Sequence, residues 1–485
     1  MQMKFALFGL ALSLCAASDE AFGLTAGYSR VDITPGYGTE IPGYFVHRYV
    51  KGVRDPLSVV TLAFSDGVRT AVVQQVDTST LTPAAAEILL SRVAKATGLP
   101  REAVFQHASH THCGGWLELT EEEACATGAA ADPTSKLGYA AFVASRAADG
   151  AQEALRDLKS ARLSCGRSAA PRISFGRRYH MKDGSVRTNP GVGNPDIVKP
   201  AGNPPDDEVQ VLRIDRAGGK SICVMNFQTH PDVVGGECVT ADWPGLSRTV
   251  FEAATGGETL AMVLNGTEGD VNHVNVSPLP GEGNGLHPDF DDVHRGYAHS
   301  RHMANRIAAA ALSVWEKCVP LPDGSVRYGA KTIRIPSNRP KPDDEKNVAW
   351  AERVWTAHEA GRDGELPWKG MELTTEVARA RRILQLKDGP DFFDLTIHDL
   401  AIGGGLAFAT YPGEPFNDIG KAVKRQSPFA LTLQACLTGG TRGYFPFSDS
   451  YREGGYESAS SVFGPTVADD LIGGQLELLK ELSQR

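Results

Sequence analysis

Three histidines stand close together in the segment His107-Ala-Ser-His110-Thr-His112-Cys-Gly-Gly, at the end of a short apolar run. In an extended chain, side chains two positions apart point to the same side, so His110 and His112 can face one cavity. Imidazole nitrogen is a common zinc ligand, although a hydrogen-bonded surface or core pair is the plainer interpretation of one His-x-His pair. The segment is therefore a first candidate for metal binding.

Other polar residues also follow apolar runs. His230 comes shortly after the run SICVMNF, Asp270 and Asn272 come after LAMVLN, and Glu414 lies between prolines after GLAFAT. Sites in α/β proteins lie at the C-terminal ends of strands, and zinc takes about four N, O or S ligands from rigid elements. Together these strand ends predict a metal centre, whereas Glu414 alone would be a solvated loop acid.

The elements that must position these residues alternate in type. Short β-branched runs such as SVVTLAF, AVFQHAS and LTLQACL predict strands, and apolar residues spaced three and four apart predict helices. The predicted helices are Ala84–Thr97, Tyr139–Leu158, Ser247–Thr255, Asp292–Lys317 and Leu373–Leu386. This interleaving predicts an α/β or α+β layered fold with helices outside a large mixed sheet. The Pro/Gly-rich stretch Pro336–Pro342 is the best candidate for an internal boundary.

Composition and charge exclude several classes of protein. The chain has 485 residues, 41% of them hydrophobic, with 49 Lys and Arg against 58 Asp and Glu. It has no basic run that could neutralise phosphates, so we expect no nucleic acid partner. Residues 1–23 have the layout of a cleaved secretory signal, and no later segment reaches membrane length without charges. We expect a secreted or periplasmic protein, mature over 24–485, with no stable membrane insertion.

Seven cysteines remain after residue 23, and none belongs to a C-x-x-C pair. Oxidising surroundings permit disulfides, and Cys113 with Cys125 is the most local candidate pair. Because the number is odd, at least one cysteine stays free. Most of them are explained as small buried apolar residues.

These motifs, in this order, resemble those of the neutral/alkaline ceramidases, zinc-dependent amidases that cleave the N-acyl bond of sphingolipids. The resemblance covers nearly the whole mature chain, from the first strand, AGYSRVDITP, to YESASSVFGP near the end. HASHTHCGG is similar to the family's T-H-T-H-S-G, NGTEGDVNHVN to N-x-G-D-V-S-P-N, and YPGEPF to P-G-E. Tyr444 and Tyr456 have the spacing of the family's two active-site tyrosines.

Carried over position by position, the resemblance implies a zinc ion on four ligands, namely His110, His230, Glu414 and Tyr444. It implies that His112 and Tyr456 surround the reacting carbonyl and that Arg177 contacts the substrate. Gly176 stands where we expect an Asn, which leaves the choice between Arg177 and Arg178 open.

The sequence departs from the family pattern at two places. Asn272 stands where the family carries a serine, and an amide cannot attack a carbonyl, although it can donate hydrogen bonds as oxyanion-hole amides do. The sequence also ends at Arg485 without the immunoglobulin-like domain of longer members, so we expect none. Asp242, in TADWPG, is similar to a family Asp and is equally plausible as a helix start.

The sequence thus predicts one large catalytic domain that hydrolyses an N-acyl amide bond, releasing a fatty acid from an N-acylsphingosine or a more polar relative. Zinc-activated water would attack the acyl carbon, and zinc and Tyr456 would stabilise the oxyanion. His112 would act as general base and then as acid. Arg177 would anchor a polar part of the substrate.

Two alternatives stay open at this point. In a binuclear amidohydrolase or esterase acting on a small polar ester or lactone, His110 and His112 would bind one ion and Asp270 or Asp242 would bridge to a second. An exported binding protein could also have kept the fold without catalysis.

Overall fold

The structure is a computed structural model that describes residues 23–44, 46–125, 132–285, 296–322, 324–341 and 344–484. Apart from Gly23, the predicted signal segment lies outside the described residues, so export stays a prediction. The strands of the described residues are, in chain order, β1 (Thr25–Asp32), β2 (Glu40–Ile41), β3 (Arg48–Tyr49), β4 (Gly52–Val53), β5 (Ser58–Ser65), β6 (Thr70–Val76), β7 (Val104–Ala108), β8 (Lys159–Ala169), β9 (Phe175–Gly176), β10 (Arg178–Met181), β11 (Val186–Thr188), β12 (Ile197–Pro200), β13 (Glu208–Arg216), β14 (Ser221–Phe227), β15 (Cys238–Val239), β16 (Thr259–Asn265), β17 (Val271–Asn272), β18 (Val319–Pro320), β19 (Val326–Pro336), β20 (Phe392–Ile402), β21 (Leu406–Thr410), β22 (Glu414–Pro415), β23 (Leu431–Ala435) and β24 (Tyr444–Phe445).

The α-helices of the same residues alternate with these strands. They are α1 (Pro83–Thr97), α2 (Glu121–Cys125), α3 (Lys136–Arg156), α4 (Asp242–Ala254), α5 (Tyr297–Trp315), α6 (Glu345–Glu359), α7 (Gly370–Leu386), α8 (Asn417–Gln426), α9 (Ser450–Glu453), α10 (Tyr456–Ser460) and α11 (Val467–Gln484). None of these helices combines the length and the apolar composition that a bilayer crossing requires.

Two mixed sheets form the centre of the molecule. The larger sheet has nine strands in the order β16-β14-β13-β8-β1-β5-β6-β7, with β18 paired to β8. Its neighbours are antiparallel except for β14 with β16 and β6 with β7, which are parallel. The smaller sheet has the order β19-β20-β21-β23, and only β21 and β23 are parallel.

The two sheets pack face to face, as the alternation along their strands shows. Val60, Leu62 and Phe64 of β5 point into a core that also contains Leu400 and Phe408 of the smaller sheet. The Phe64 and Phe408 rings lie 6.0 Å apart between their centroids. Because alternate side chains point to opposite faces of a strand, the intervening residues of β5 face the other way. They pack against α1 and α3.

Helices cover both outer faces, which gives a helix–sheet–sheet–helix layering. Helices α1, α3, α4 and α5 pack on the larger sheet, and α8 and α11 pack on the smaller one. Local signals set the helix ends. For α1, the Thr82 side chain accepts a hydrogen bond from the Ala85 amide, Pro83 occupies the first turn, and Gly98 ends the helix at a φ of 72°.

The predicted mixed α/β fold with helices outside a large mixed sheet is confirmed.

Helix α4 begins at Asp242, five residues before the predicted start at Ser247, because Pro244 is tolerated in a first turn and does not break the helix. The beginning of the predicted helix Asp292–Lys317 lies outside the described residues, and the remainder forms α5. The patterns missed β8, whose sequence KSARLSCGRSA is poor in β-branched residues.

Helices α6 and α7 form a hairpin inserted between the paired strands β19 and β20, immediately after the stretch Pro336–Pro342. Val354, Val377 and Ile383 form the small core between the two helices. The hairpin therefore has its own packing, while the strands on either side of it belong to one sheet.

The seven cysteines after residue 23 are free, so the candidate pair Cys113 and Cys125 forms no disulfide. Cys113 is buried and its thiol donates to the Val234 carbonyl at 3.1 Å, whereas Cys125 is exposed on α2.

Candidate metal centre

Strand ends from both sheets meet at one edge of the double-sheet core. Cys436, just after β23, donates its amide to the Asn265 carbonyl at the end of β16, at 3.0 Å. His107, in β7, joins the same ends: its Nδ1–H donates to the Cys436 carbonyl at 2.5 Å, and its Nε2 accepts from the Asn265 amide at 3.1 Å. Burial lowers the pKa of His107 to about 4, so the ring is neutral and structural.

His110 lies just after β7 with its imidazole fixed in one orientation. Its Nδ1–H donates to the Ser79 carbonyl at 2.7 Å, and its Nε2 lies 3.5 Å from Oε2 of Glu414. The backbone has a φ of 73° at this position, which is strained for a residue with a β-carbon. Strain of this kind persists where the surroundings over-determine a functional conformation.

His230 is oriented in the same way from the end of β14. Its Nδ1–H faces the carbonyls of Glu268 and Val271, at 2.8 and 3.1 Å, and also contacts the Glu268 carboxylate. Its Nε2 lies 3.1 Å from Oε2 of Glu414. Both imidazoles therefore present Nε2 to one carboxylate while backbone carbonyls hold Nδ1, which is how metal-binding histidines are usually oriented.

Glu414 and Tyr444 are brought side by side by the parallel pairing of β22 with β24. The Tyr444 ring stacks on His230 with an angle of 12° between the planes and 6.5 Å between the centroids. Gly413 is required here, because a β-carbon would lie 2.3 Å from the Gly443 carbonyl oxygen. Gly269 is equally constrained, since its β-carbon would lie 2.5 Å from the Glu414 carbonyl oxygen.

Arg177 lies between β9 and β10, reaches the cluster and is buried. Its Nε donates to Glu457 at 2.6 Å, its Nη2 to the Gly269 carbonyl at 2.7 Å, and its Nη1 to Nε2 of His230 at 3.1 Å. Arg178 instead donates to the Gly454 carbonyl, at 3.0 Å. Of the two arginines, the structure thus places Arg177 beside the cluster.

His112 and Tyr456 lie on two sides of the cluster. The His112 ring is edge-on to His110 at 4.9 Å between centroids, and its Nδ1 lies 3.4 Å from Oδ1 of Asp232. The same carboxylate oxygen accepts from the Tyr44 hydroxyl at 2.5 Å. Tyr456, at the start of α10, packs edge-on to Tyr444 at 5.7 Å.

The electrostatics of the cluster favour a positive charge at its centre. Burial lowers the pKa of His110, but the carboxylates of Glu268 and Glu414 outweigh it and raise that pKa above its ordinary value. For His230, burial and Arg177 lower the pKa, and the same carboxylates raise it to about 9.

The donor set fits a metal ion. Ligand atoms of His110, His230, Glu268 and Glu414 lie within 4.8 Å of one another, and all four residues are buried. With both imidazole protons on Nδ1, Nε2 of His110 and Oε2 of Glu414 have no hydrogen-bond partner among the described residues, although both atoms are inaccessible to solvent. Buried polar atoms without partners are costly, and a cation between them removes that cost.

Several residues considered from the sequence lie elsewhere. The Asn272 amide donates to Asn189 at 2.9 Å and accepts from the Val274 backbone at 3.0 Å, and Asn272 does not line the described cleft. A hydrogen bond from Asn272 to the reacting carbonyl stays a prediction. Asp242 accepts from the amides of the loop after His230, and Asp270 accepts from the Asn417 amide.

Three residues near the cluster were missed from the sequence. Glu268, in the motif NGTEGD, contacts Nδ1 of His230, and Asp232, two residues after His230, contacts His112. Glu268 stands inside the quoted motif NGTEGDVNHVN, and Asp232 stands close to the predicted ligand His230, which was the available signal. Glu118, after a loop, gave no signal.

The cluster opens into a cleft of about 630 Å³, which we call the metal chamber. Residues that line it include His110, His112, Glu118, Arg381, Glu414, Tyr444 and Tyr456. Burial raises the pKa of Glu118 to about 7.

Comparison with solved structures gives the fold a name. The chain superposes on neutral ceramidase from Pseudomonas aeruginosa with a TM-score of 0.68 and 17% identity, covering 96% of this chain and 75% of that one. The protein has the fold of a neutral ceramidase. A ceramidase complexed with C2 also matches, with a TM-score of 0.65, 15% identity, and coverage of 96% of this chain and 76% of that one.

Comparison of the sequence alone finds no relative. No protein-family description and no curated protein matches the sequence. The fold resemblance expected from the short motifs is confirmed. At 17% identity, the superposition shows a shared fold and no more than that.

Proposed function

We propose that this protein is a zinc-dependent hydrolase that cleaves the amide bond of an N-acyl substrate. The observation that carries the proposal is the buried cluster in which His110 and His230 both present Nε2 to Glu414. Solved structures named as ceramidases share the fold around it. The N and O donors suit zinc, with Tyr444 as the fourth ligand.

Zinc, when bound, supplies Lewis acidity toward the acyl carbonyl and lowers the pKa of water. The surrounding residues hold the ligands and exclude solvent. If Nε2 of His230 holds the metal, it cannot also accept a hydrogen bond from Arg177, because that nitrogen has a single lone pair. The Nη1 group of Arg177 would then be available as a donor for the substrate, while Glu457 holds Nε.

His112 is the proposed group for proton transfer. Asp232 faces its Nδ1 and Tyr44 donates to the same carboxylate, so the ring has a fixed orientation. We assign Nε2 to the exchange of a proton with the attacking water and then with the leaving amine. An imidazole serves both steps near neutral pH.

Tyr456 is the proposed hydrogen-bond donor to the developing oxyanion. Burial raises the pKa of Tyr456 above the ordinary tyrosine value, so its hydroxyl keeps its proton at neutral pH. A donor held in a water-excluded site typically contributes several kcal/mol to transition-state stabilisation, on the order of 3 kcal/mol.

The test combines metal analysis with turnover of a substrate panel. The panel includes N-acylsphingosine, small polar amides, esters and a lactone, and the variants are His110→Ala, His230→Ala and, as a control on α6, His358→Ala. We expect one zinc per chain and amide hydrolysis, both lost in the first two variants and retained in the control. Turnover without metal contradicts the proposal. Two metals per chain favour a binuclear site, and metal without any turnover favours a binding protein.

A further inference from the structure

A second cavity of about 610 Å³ adjoins the metal chamber, and we call it the side chamber. The two cavities share a ring of residues, namely Thr80, Thr82, Glu118, Arg381, Thr441 and Tyr456. Because Tyr456 belongs to both, the side chamber begins beside the proposed position of the reacting carbonyl.

The side chamber brings apolar and charged side chains together. Leu386, Phe393, Leu395, Val462 and Phe463 line it, and so do the charged residues Arg382, Asp394 and Arg442. The metal chamber has charged walls, where Lys136 lies 3.6 Å from both Glu40 and Glu123 and over the Trp116 ring at 4.2 Å. This arrangement suits a substrate with one apolar chain and one polar end, rather than two apolar chains.

An acidic and a basic side chain, Glu118 and Arg381, stand at the junction of the chambers. Within the described residues, the carboxylate of Glu118 and the guanidinium of Arg381 make no hydrogen bond or ion pair. Arg381 instead lies against the Trp355 ring, with 5.9 Å from Cζ to the centroid. Lys136, by contrast, already has two acidic partners.

We propose that the substrate is an N-acyl α-amino acid, with its acyl chain in the side chamber, its carboxylate on Arg381 and its amide N–H directed to Glu118. This inference rests on the proposed amide hydrolysis and specifies its substrate class. An N-acyl α-amino acid carries its carboxylate and its amide N–H on the same carbon, so it matches a cation and an acid that face one junction. An Arg fork also fits a carboxylate with two parallel hydrogen bonds.

Hydrolysis balances without any further reactant. Water adds to the acyl carbon, the C–N bond breaks, and the amine nitrogen leaves with a proton. The products are a fatty acid and an α-amino acid, whose new ammonium group is then adjacent to Glu118.

The test compares two substrates that differ only in charge, N-dodecanoylglycine and N-dodecanoylglycinamide, with N-acylsphingosine as a third. The zinc-loaded enzyme is measured as wild type, Arg381→Gln and Arg379→Gln. Arg379 is the matched control because it is on the same helix, pairs with Glu376 at 3.6 Å and lies outside both chambers. A thermal melt of each variant confirms that it is folded.

We expect kcat/KM for the acid to exceed that for the glycinamide by about 10- to 100-fold, the range of one charge-assisted contact. Arg381→Gln should remove this preference, because it lowers kcat/KM for the acid far more than for the glycinamide, and Arg379→Gln should leave the preference as it is. Glu118→Ala should slow both substrates by a similar factor, since both carry the N–H.

The outcomes separate this inference from the proposed function. If glycinamide or N-acylsphingosine is hydrolysed as fast as the acid, or if Arg381→Gln keeps the preference, the substrate class is overturned and the amidase stands. If no amide is hydrolysed, both are overturned.

Discussion

The contact between Asp232 and His112 gives the sharpest test of the proposed proton transfer. Asp232→Asn keeps the shape of the side chain and removes its charge. The two side chains are 13% and 21% exposed, and the atoms are 3.4 Å apart. The contact therefore falls between an exposed ion pair and a buried charge-assisted hydrogen bond. Contacts of this kind stabilise the charged imidazole by about 1 to 3 kcal/mol.

If that stabilisation acts on the imidazolium in the transition state, kcat falls by about 5- to 150-fold. The acid limb of the pH–rate profile also moves to lower pH, because the carboxylate no longer stabilises the charged ring. Bound metal should not change, since neither Asp232 nor His112 is a proposed ligand. Steady-state kinetics between pH 5 and pH 9, with metal analysis of the same samples, measure all three quantities.

A double-mutant cycle tests whether Asp232 acts through His112. Once His112→Gln is present, Asp232→Asn should have almost no further effect, because the two residues act as one unit. Glu237→Gln is the matched control, since Glu237 pairs at the surface with Lys51. Wild-type kcat and an unshifted acid limb in Asp232→Asn, or additive losses in the double variant, would refute the reasoning.

Three further predictions follow from contacts in and near the cluster. His110→Ala and His230→Ala should each lose stoichiometric metal, measured by elemental analysis, because each removes one of few ligands. Glu457→Gln should lower the free energy of unfolding in urea by about 3 to 5 kcal/mol, because it leaves the buried Arg177 charge without its acid. His107 should destabilise the protein as pH falls from about 6.5 to about 4, by about 3 kcal/mol, because the unfolded chain takes up a proton that the folded ring does not. His107→Gln should lose this part of the pH dependence, which urea unfolding at each pH would show.

The fold was predictable where strand and helix patterns are regular. Runs such as SVVTLAF and SICVMNF coincide with β5 and β14, because buried strands need unbroken β-branched and apolar residues. Strand β8 was missed because only Ala161 and Leu163 of its eleven residues enter a core. The packing of two sheets face to face has no local signal, since it depends on contacts between residues far apart in the chain.

The site was predictable in its residues and less so in their contacts. The short motifs brought forward His110, His230 and Glu414, and the structure places them together. Glu268, inside a quoted motif, and Asp232, two residues after His230, were given no role, because which carboxylate reaches which ring nitrogen is set by loop geometry. A free-standing acid such as Glu118 has no sequence pattern at all.

The strand ends that meet at His107 come from distant parts of the chain, and this sets an order of events during synthesis. The cluster needs His110 from the first quarter and Tyr444 near the end. Contacts of such long range form late and slowly. A chain synthesised as far as β22 contains every strand of the larger sheet but neither β23 nor β24. It contains His110, His230 and Glu414 and lacks Tyr444, so the proposed metal site can be complete only after the last part of the chain is made.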